Sequence, residues 1–396
     1  MLKGKKILIG ISGSIAAYKI IYLTRLLIKA GAEVRVVMSP AAVQFVSPLV
    51  LSTLSGNKVL VNMFEDDVWA NHVMLGRWAD LMLMAPLSCN TLGKMANGLC
   101  DNLLLSVYLS ATCKVVCAPA MDEDMWHHPA TQKNIATLRE NGNTVLTVNS
   151  GELASGLVGE GRMQEPEELF IEIKKHFRKN DLNGYKVLIT SGPTYEAIDP
   201  VRFIANHSSG KMGKALSEAF YEQGAEVIFI TGKSNYLPVY QEITIVNVTS
   251  AEDMYRETIA HFPECNIAVL AAAVADYTPE TTAAQKIKKS EAQFDLPLKR
   301  TKDILKELGK QKTTQLLIGF ALETNNELEN ARKKLEEKNA DFIVLNSMND
   351  PEAGFGHDTN KVTILGKNIE NISTNTLTKN ELSDFIVQII KERYNA

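Results

Sequence analysis

The chain has 396 residues, 45% of them apolar and 22% charged, with a net charge of −4 and a pI near 6.1. That length exceeds one ordinary domain, and the mild acidity argues against a nucleic-acid or membrane-surface footprint for the whole molecule, so small molecules are the expected partners. Five cysteines, at 89, 100, 113, 117 and 265, form no CxxC pair and have no histidine cluster of zinc spacing, so neither disulfides nor structural zinc are expected.

In chain order, KKILIGISGS is a short apolar run that contains glycine and enters a polar turn, so it reads as a first strand and not as a signal segment. The longest apolar run, IAVLAAAVA at 267–275, is far below the ~18 residues of a membrane span, and a cytoplasmic protein is expected. After a helix and AGAEVRVVMS come strand-like LMLMAP (81–86), KVVCAPA (114–120) and TVLTV (144–148), alternating with helical patterns and closed by the amphipathic EPEELFIEIKKHFRK. The second half echoes the first. YKVLITSGPT, a longer loop, a helix and QGAEVIFITG lead to TIVNV, NIAVLAAAV, LLIGFAL and DFIVLN, and then to a helix for which Thr378 and Glu381 form a capping box.

Continuous apolar strands alternating with helices predict two α/β domains, each a doubly wound parallel sheet of Rossmann-like βα units. The polar stretch 180–184 places the boundary, giving domains 1–183 and 184–396. Neither half carries GxGxxG after its first strand, which disfavours the rival reading of a nicotinamide-linked oxidoreductase.

In an open parallel sheet the ligand crevice lies at the carboxyl ends of the strands. In the first half those ends carry Ser12, Gly13 and Ser14, then Ser39, then Ser88, Asn90 and Thr91. Small residues and hydroxyls at helix starts suit a phosphate and a polar ring, although any single serine taken alone is better explained as a helix N-cap. In the second half, Asn206-His207-Ser208-Ser209-Gly210-Lys211-Met212-Gly213 follows a buried-looking strand and opens an apolar-periodic helix, the pattern of an anion site. Basic residues concentrate at Lys286, Lys288, Lys289, Lys299, Arg300 and Lys302 in a chain that is acidic overall, and that local excess suits a triphosphate.

His72 in WANHVMLGRWAD, the PAMDEDMWHHP segment (119–129) and GELASGLVGEGRM (151–163) together resemble the flavin-dependent cysteine decarboxylases. The resemblance implies a flavodoxin-like domain whose strand-end loops bind FMN, with His72 catalytic. It also implies the chemistry: oxidation of the thiol-bearing carbon creates a neighbouring C=S group that accepts the electron pair left by CO2. Two positions depart from the family, which has asparagine at Asp122 and a proton-donating cysteine at Ser155. A serine hydroxyl is a far weaker acid than a thiol of pKa about 8.5, so Asp122 is the expected substitute donor if it is desolvated. The rival is a first domain that stops at an enethiol or serves only as a regulatory or structural flavoprotein.

SGPTYEAIDPVRFIANHSSGKMG, AAAVADY (271–277), QKIKKS (285–290), GFALETN (319–325) and ARKKLEEKNAD (331–341) form an ordered series that resembles the phosphopantothenate–cysteine ligases. Joined in this order, the two halves are similar to the bifunctional phosphopantothenoylcysteine decarboxylases and phosphopantothenate–cysteine ligases of coenzyme A synthesis. That family implies 4′-phosphopantothenate, L-cysteine and CTP as substrates, with Mg2+, and an acyl-cytidylate that cysteine opens. By resemblance Asn206 handles the acyl-cytidylate and Lys286 is the catalytic, phosphate-binding lysine. Asp276, Phe320, Lys334 and Lys338 match nucleotide contacts, as does the segment Lys302, Asp303, Ile304 and Leu305, where many relatives have proline in place of the lysine. The family also implies a homo-oligomer, trimeric through the decarboxylase and dimeric through the ligase, up to a dodecamer.

Overall fold

The computed structural model describes residues 1–65, 68–288, 294–347, 358–367 and 369–394; Lys289 of the basic cluster lies outside them. The chain divides into two compact units, Met1–Phe177 and Arg178–Ala396. The polar stretch near 180 packs with the second unit. Lys179 N donates to Glu222 O at 2.9 Å, Leu182 N donates to Gln223 O at 2.8 Å, and Lys391 Nζ bonds the Asp181 carboxylate.

The first unit is built on β1 (Lys6–Ile11), β2 (Glu33–Met38), β3 (Leu81–Leu87), β4 (Lys114–Pro119) and β5 (Thr144–Val145). They lie in the order β2-β1-β3-β4-β5 with every adjacent pair parallel. Both parities of β1 are apolar because both faces are covered. Ile7, Ile9 and Ile11 pack in one cluster with Ile20, Leu23 and Leu27 of α1 (Lys19–Lys29), while Leu8 packs in another with Met82, Met84 and Leu104. Each such side chain contributes roughly 1.5–3 kcal/mol on burial. The strand expected over 144–148 is shorter, since only Thr144–Val145 pairs before the chain turns into an antiparallel hairpin, Asn149–Glu152 with Val158–Arg162.

The second unit has β6 (Lys186–Ser191), β7 (Glu226–Thr231), β8 (Thr244–Asn247), β9 (Ile267–Leu270), β10 (Leu316–Glu323), β11 (Phe342–Ser347), β12 (Val362–Gly366) and β13 (Ile372–Ser373). Their order is β8-β7-β6-β9-β10-β11-β12-β13. The first six are mutually parallel, but β12 and β13 add antiparallel at the edge, so this sheet is mixed and not wholly parallel as expected. The short alternation Val362-Thr363-Ile364, buried at the two apolar positions and half-buried at the threonine, suits an edge. In each unit the strand order reverses beside the first strand, at β1 and at β6, which puts a crevice at the carboxyl ends there.

Candidate active sites

At the carboxyl ends of β1, β2 and β3 a cavity of about 570 Å³ brings together Gly13, Ser14, Ser39, Ser88, Asn90 and Thr91. Ser14 and Ser88 are helix N-caps and line the cavity as well. Ser14 Oγ accepts from Ala16 N at 3.3 Å, and Ser88 Oγ accepts at 3.5 Å from Thr91 N at the start of α2 (Cys89–Ala96), so two helical N-termini end at the cavity. Ser39 Oγ is buried with no hydrogen-bond partner among the described residues. A Cβ on Gly13 would stand 2.9 Å from Ala41 Cβ, so glycine lets the two strand-end loops meet. Ser12 serves differently: its fully buried hydroxyl donates to Pro86 O at 2.7 Å and accepts from Ser88 N at 2.8 Å, bracing β1 against β3.

Lys94 and Asp101, which sequence reasoning missed, also line this cavity as an ion pair at 2.5 Å, and the ammonium holds the Asp101 carboxyl below its ordinary value. An orphaned buried hydroxyl, two helix starts and an acid already neutralised fit a ligand that carries a phosphate and polar ring atoms.

The other expected residues of this unit do not line that cavity. His72 opens the helix His72–Trp78, edge-on to Trp69 at 5.6 Å between ring centroids, with Nδ1 buried and unpartnered among the described residues. Asp122 is half-buried, caps the short helix Glu123–His127 through Oδ1 to Glu123 N at 2.8 Å, and lines a neighbouring cavity of about 310 Å³ beside Ser14. Ser155 is exposed in the turn of the 149–162 hairpin, where Oγ accepts from Leu157 N at 3.4 Å.

In the second unit two cavities share a wall. One, of about 650 Å³, holds Lys302, Asp303, Ile304, Leu305 and Lys338; the other, of about 610 Å³, holds Asn206, Ser208, Ser209, Gly210 and Lys211; Asp276, Phe320 and Lys334 line both. The Ser208–Gly213 loop has local reasons for its glycines. Gly210 caps α3 (Lys211–Glu222) at φ 81°, in the left-handed region, and a Cβ on Gly213 would stand 2.3 Å from Ser191 Oγ at the end of β6. Asn206 Nδ2 donates to Val274 O at 3.0 Å and to Ala273 O at 3.4 Å, fastening this loop to the segment after β9.

Asp303 caps α4 (Ile304–Gln311), accepting from Lys306 N at 2.9 Å and from Lys338 Nζ at 2.7 Å. Burial by itself would raise its carboxyl, but these two donors outweigh it and hold the group below the ordinary value. Lys334, on α5 (Glu327–Glu337), donates from Nζ to Phe320 O at 2.9 Å. Burial pushes its ammonium down despite Glu323, Asp303 and Asp276 nearby, which places a poorly solvated cation on the wall between the cavities. Lys302 lies at the rim, paired with Glu252 at 2.7 Å and raised by that bond. Lys286 and Lys288 are exposed and line neither cavity.

All five cysteines are free; burial pushes Cys117 up to about 12 and Cys265 up to about 11, as inert core thiols. Among the described residues no three His, Cys, Asp or Glu side chains are grouped to hold a metal, and no helix is long and apolar enough to cross a membrane.

Comparison with known proteins gives the same division. A family model described as Flavoprotein matches residues 1–178, and one described as DNA/pantothenate metabolism flavoprotein C-terminal domain matches 182–394. A relative from an unknown prokaryotic organism, named cysteine/cysteine sulfinic acid decarboxylase, is 51% identical over 353 residues, 87% of this chain and 98% of its own. The coenzyme A biosynthesis bifunctional protein CoaBC of Bacillus subtilis (strain 168) is 43% identical over 395 residues, 98% of this chain and 97% of its own. A solved C-terminal domain of such a bifunctional protein is 43% identical, covering 55% of this chain and 99% of that one, with a TM-score of 0.47. With both family models in place and relatives aligned almost end to end, the chain belongs to the family of bifunctional coenzyme A biosynthesis enzymes that unite a decarboxylase with a phosphopantothenate–cysteine ligase.

Proposed function

We propose that the second unit joins 4′-phosphopantothenate to L-cysteine with CTP, and that the first unit decarboxylates the product to 4′-phosphopantetheine. The observation that carries this reading is the wall shared by the two second-unit cavities, with Asp276, Phe320 and Lys334 between the Asn206 loop and the Lys302–Leu305 segment. A reaction joining a nucleotide to an acyl group needs two adjoining compartments and a cation where they meet.

The carboxylate oxygen attacks the α-phosphorus of CTP and pyrophosphate leaves; the cysteine amine then attacks the acyl carbon, loses its proton and expels CMP. Lys334 offsets charge developing at the α-phosphate from a site of low hydration. Phe320 offers a face to the cytosine, Lys338 and Asp303 fix the segment that lies against the nucleotide, and Asn206 keeps its loop on the strand-end segment. Mg2+ arrives on the triphosphate, where one or two carboxylates suffice, and Asp276 on the shared wall is the acid placed for it.

In the first unit Gly13, Ser14, Ser39, Ser88, Asn90 and Thr91 hold FMN, with the phosphate at the helix starts and the Ser39 hydroxyl supplied with the partner it lacks. When bound, FMN supplies reversible two-electron oxidation of the substrate's thiol-bearing carbon. Asp122 and the Ser155 hairpin flank this site through the neighbouring cavity and hold or move protons at its mouth. His72 and Lys286, which line none of the cavities described above, act in a closed homo-oligomer, trimeric through the first unit and dimeric through the second. The functional boundary falls at 183/184, and the substrates place the enzyme in the cytoplasm.

A second reading, decarboxylation of free cysteine or its sulfinate by the first unit, is favoured by the name of the 51% identical relative. Mass spectrometry of products separates the two. With 4′-phosphopantothenate, cysteine, CTP and Mg2+, phosphopantetheine with CMP supports the full reaction. Accumulated phosphopantothenoylcysteine confines turnover to the ligase, its enethiol shows a first unit that decarboxylates but does not complete the reduction, and CO2 with the corresponding amine from cysteine alone supports the second reading.

A further inference from the structure

In the second unit one acidic side chain closes the loop of the antiparallel hairpin that pairs Glu196–Ala197 with Phe203–Ile204. Asp199 Oδ1 accepts from Val201 N and from Arg202 N, both at 2.8 Å, while Ile198 N donates to Arg202 O at 2.9 Å. An aspartate holding the amides two and three residues on is the ordinary chemistry of such a turn. The turn needs only that one oxygen, yet the whole side chain has no exposed surface.

The second oxygen reaches a residue 88 positions along the chain. Asp199 Oδ2 accepts from Ile287 N at 3.2 Å and from the Arg202 guanidinium at 2.8 Å, and Arg202 Nη2 donates to Ile287 O at 2.5 Å. Both polar backbone groups of Ile287 are therefore held by one ion pair. Just before it, Thr282 Oγ1 donates to Ala197 O at 3.1 Å and Ala283 N donates to Ile198 O at 3.0 Å, so residues 282–287 lie along residues 197–199. Burial by itself would raise the Asp199 carboxyl, but the three backbone donors and the guanidinium outweigh it and keep the group ionised.

Ile287 is half-buried between two exposed lysines, Lys286 and Lys288. Neighbouring Cα atoms are about 3.8 Å apart, so fixing the Ile287 backbone fixes where the Lys286 side chain begins. We propose that Asp199 is the positioning residue for Lys286: its carboxylate, together with Arg202, latches the Ile287 backbone and so sets where the Lys286 ammonium meets the triphosphate. This deepens the ligase reading and rests on it. A charged group displaced by about 1 Å loses up to about 100-fold in rate, which is the effect the latch prevents.

The test uses the intact protein as wild type, Asp199→Asn, Asp199→Ser, Lys286→Met and the double variant Asp199→Asn with Lys286→Met. Serine keeps an acceptor for the turn and has no second oxygen for Ile287; asparagine satisfies one side of the latch and not both. Two readouts are taken: kcat for CMP release, and the rate of tryptic cleavage after Lys286 and Lys288 relative to cleavage elsewhere in the second unit. Both Asp199 variants are expected to lower kcat about tenfold or more and to raise the relative cleavage rate about tenfold, as a segment released locally. In the Lys286→Met background Asp199→Asn is expected to change kcat by less than about twofold, because its effect passes through Lys286.

A kcat within about twofold of wild type in both Asp199 variants overturns the proposal. So does the same fold-loss in the Lys286→Met background as in wild type, which is what a merely structural role gives. Cleavage that accelerates equally at every site also overturns it. Should Asp199→Asn not fold, Asp199→Ser carries the same measurements. If Lys286→Met releases no CMP, the relative cleavage rate decides, and an unchanged ratio overturns the latch. If wild type releases no CMP, the ligase reading fails on its own; the latch is then decided by the same ratio.

Discussion

The two units solve one problem, holding a phosphorylated ligand at strand ends, with opposite materials. The first cavity is made of hydroxyls, glycine and helix starts, and its ion pair, Lys94 with Asp101, is internally neutralised. The second is made of charged side chains from distant elements: Lys211, Asp276, Asp303, Lys334, Lys338 and Lys379. A ligand that stays bound through many turnovers needs fixed dipoles and shape. The triphosphate proposed for the second unit, bound, split and released each cycle, would be better served by ammonium groups, of which Lys334 is the desolvated one.

The sharpest way to break this contrast is Asn206→Ala. It removes the tether to Val274 O and Ala273 O, and a misplaced loop is expected to lower ligase turnover about 100-fold or more, while supplied phosphopantothenoylcysteine is decarboxylated at the wild-type rate. A parallel loss in both assays would mean that the units are not independent.

Next in size is Lys334→Met, expected to lower CMP release about tenfold to 100-fold. Its pH dependence has a definite sign. With the folded-state pKa below the ordinary 10.5, the ammonium is lost early as pH rises, so ligase activity falls on the alkaline side before an ordinary lysine would titrate. Between the lowered folded pKa and the unfolded value the unfolded chain binds the extra proton, so Lys334 makes stability rise with pH across that window. The urea midpoint of wild type should rise relative to that of Lys334→Met through that range; a constant difference would show that the cation is not desolvated.

A smaller effect is expected from Ser155→Cys. The turn is exposed and the fold should be unaffected, while a thiol at that position is expected to raise decarboxylation roughly tenfold. An unchanged rate, paired with a decrease in Asp122→Asn, would make Asp122 the group that moves the proton. Asparagine caps helices as well as aspartate, so melting temperatures of wild type and Asp122→Asn should coincide. The smallest effect is that of Lys302→Ala, whose exposed bond to Glu252 is worth little; the KM for CTP should rise only about two- to threefold.

Much of this was legible beforehand. Paired βα openings, apolar strands and the capping box at Thr378 and Glu381 are local patterns, and the pairings of β1 and β6 follow from them. The six first-cavity positions were readable because small residues at a strand end have a restricted use. Lys94, Asp101 and Lys379 were not readable, since Lys94 and Lys379 sit on helices that would tolerate a lysine anywhere on a solvated face and Asp101 sits in the loop before the helix Leu103–Leu109. The antiparallel edge of β12 and β13 was missed because runs that short carry no periodicity.

By itself, then, the sequence determined which segments are strands and helices, that the chain has two α/β halves, and which chemistry each half resembles, because periodicity and strand-end composition are written in consecutive residues. Only the tertiary structure decided that Lys334 lies on a wall common to two cavities, that Ser12 braces β1 and β3 and does not line the cavity, and that His72 and Lys286 stand outside these three cavities. Burial and the convergence of distant side chains depend on how layers pack across hundreds of residues, and no local pattern encodes that.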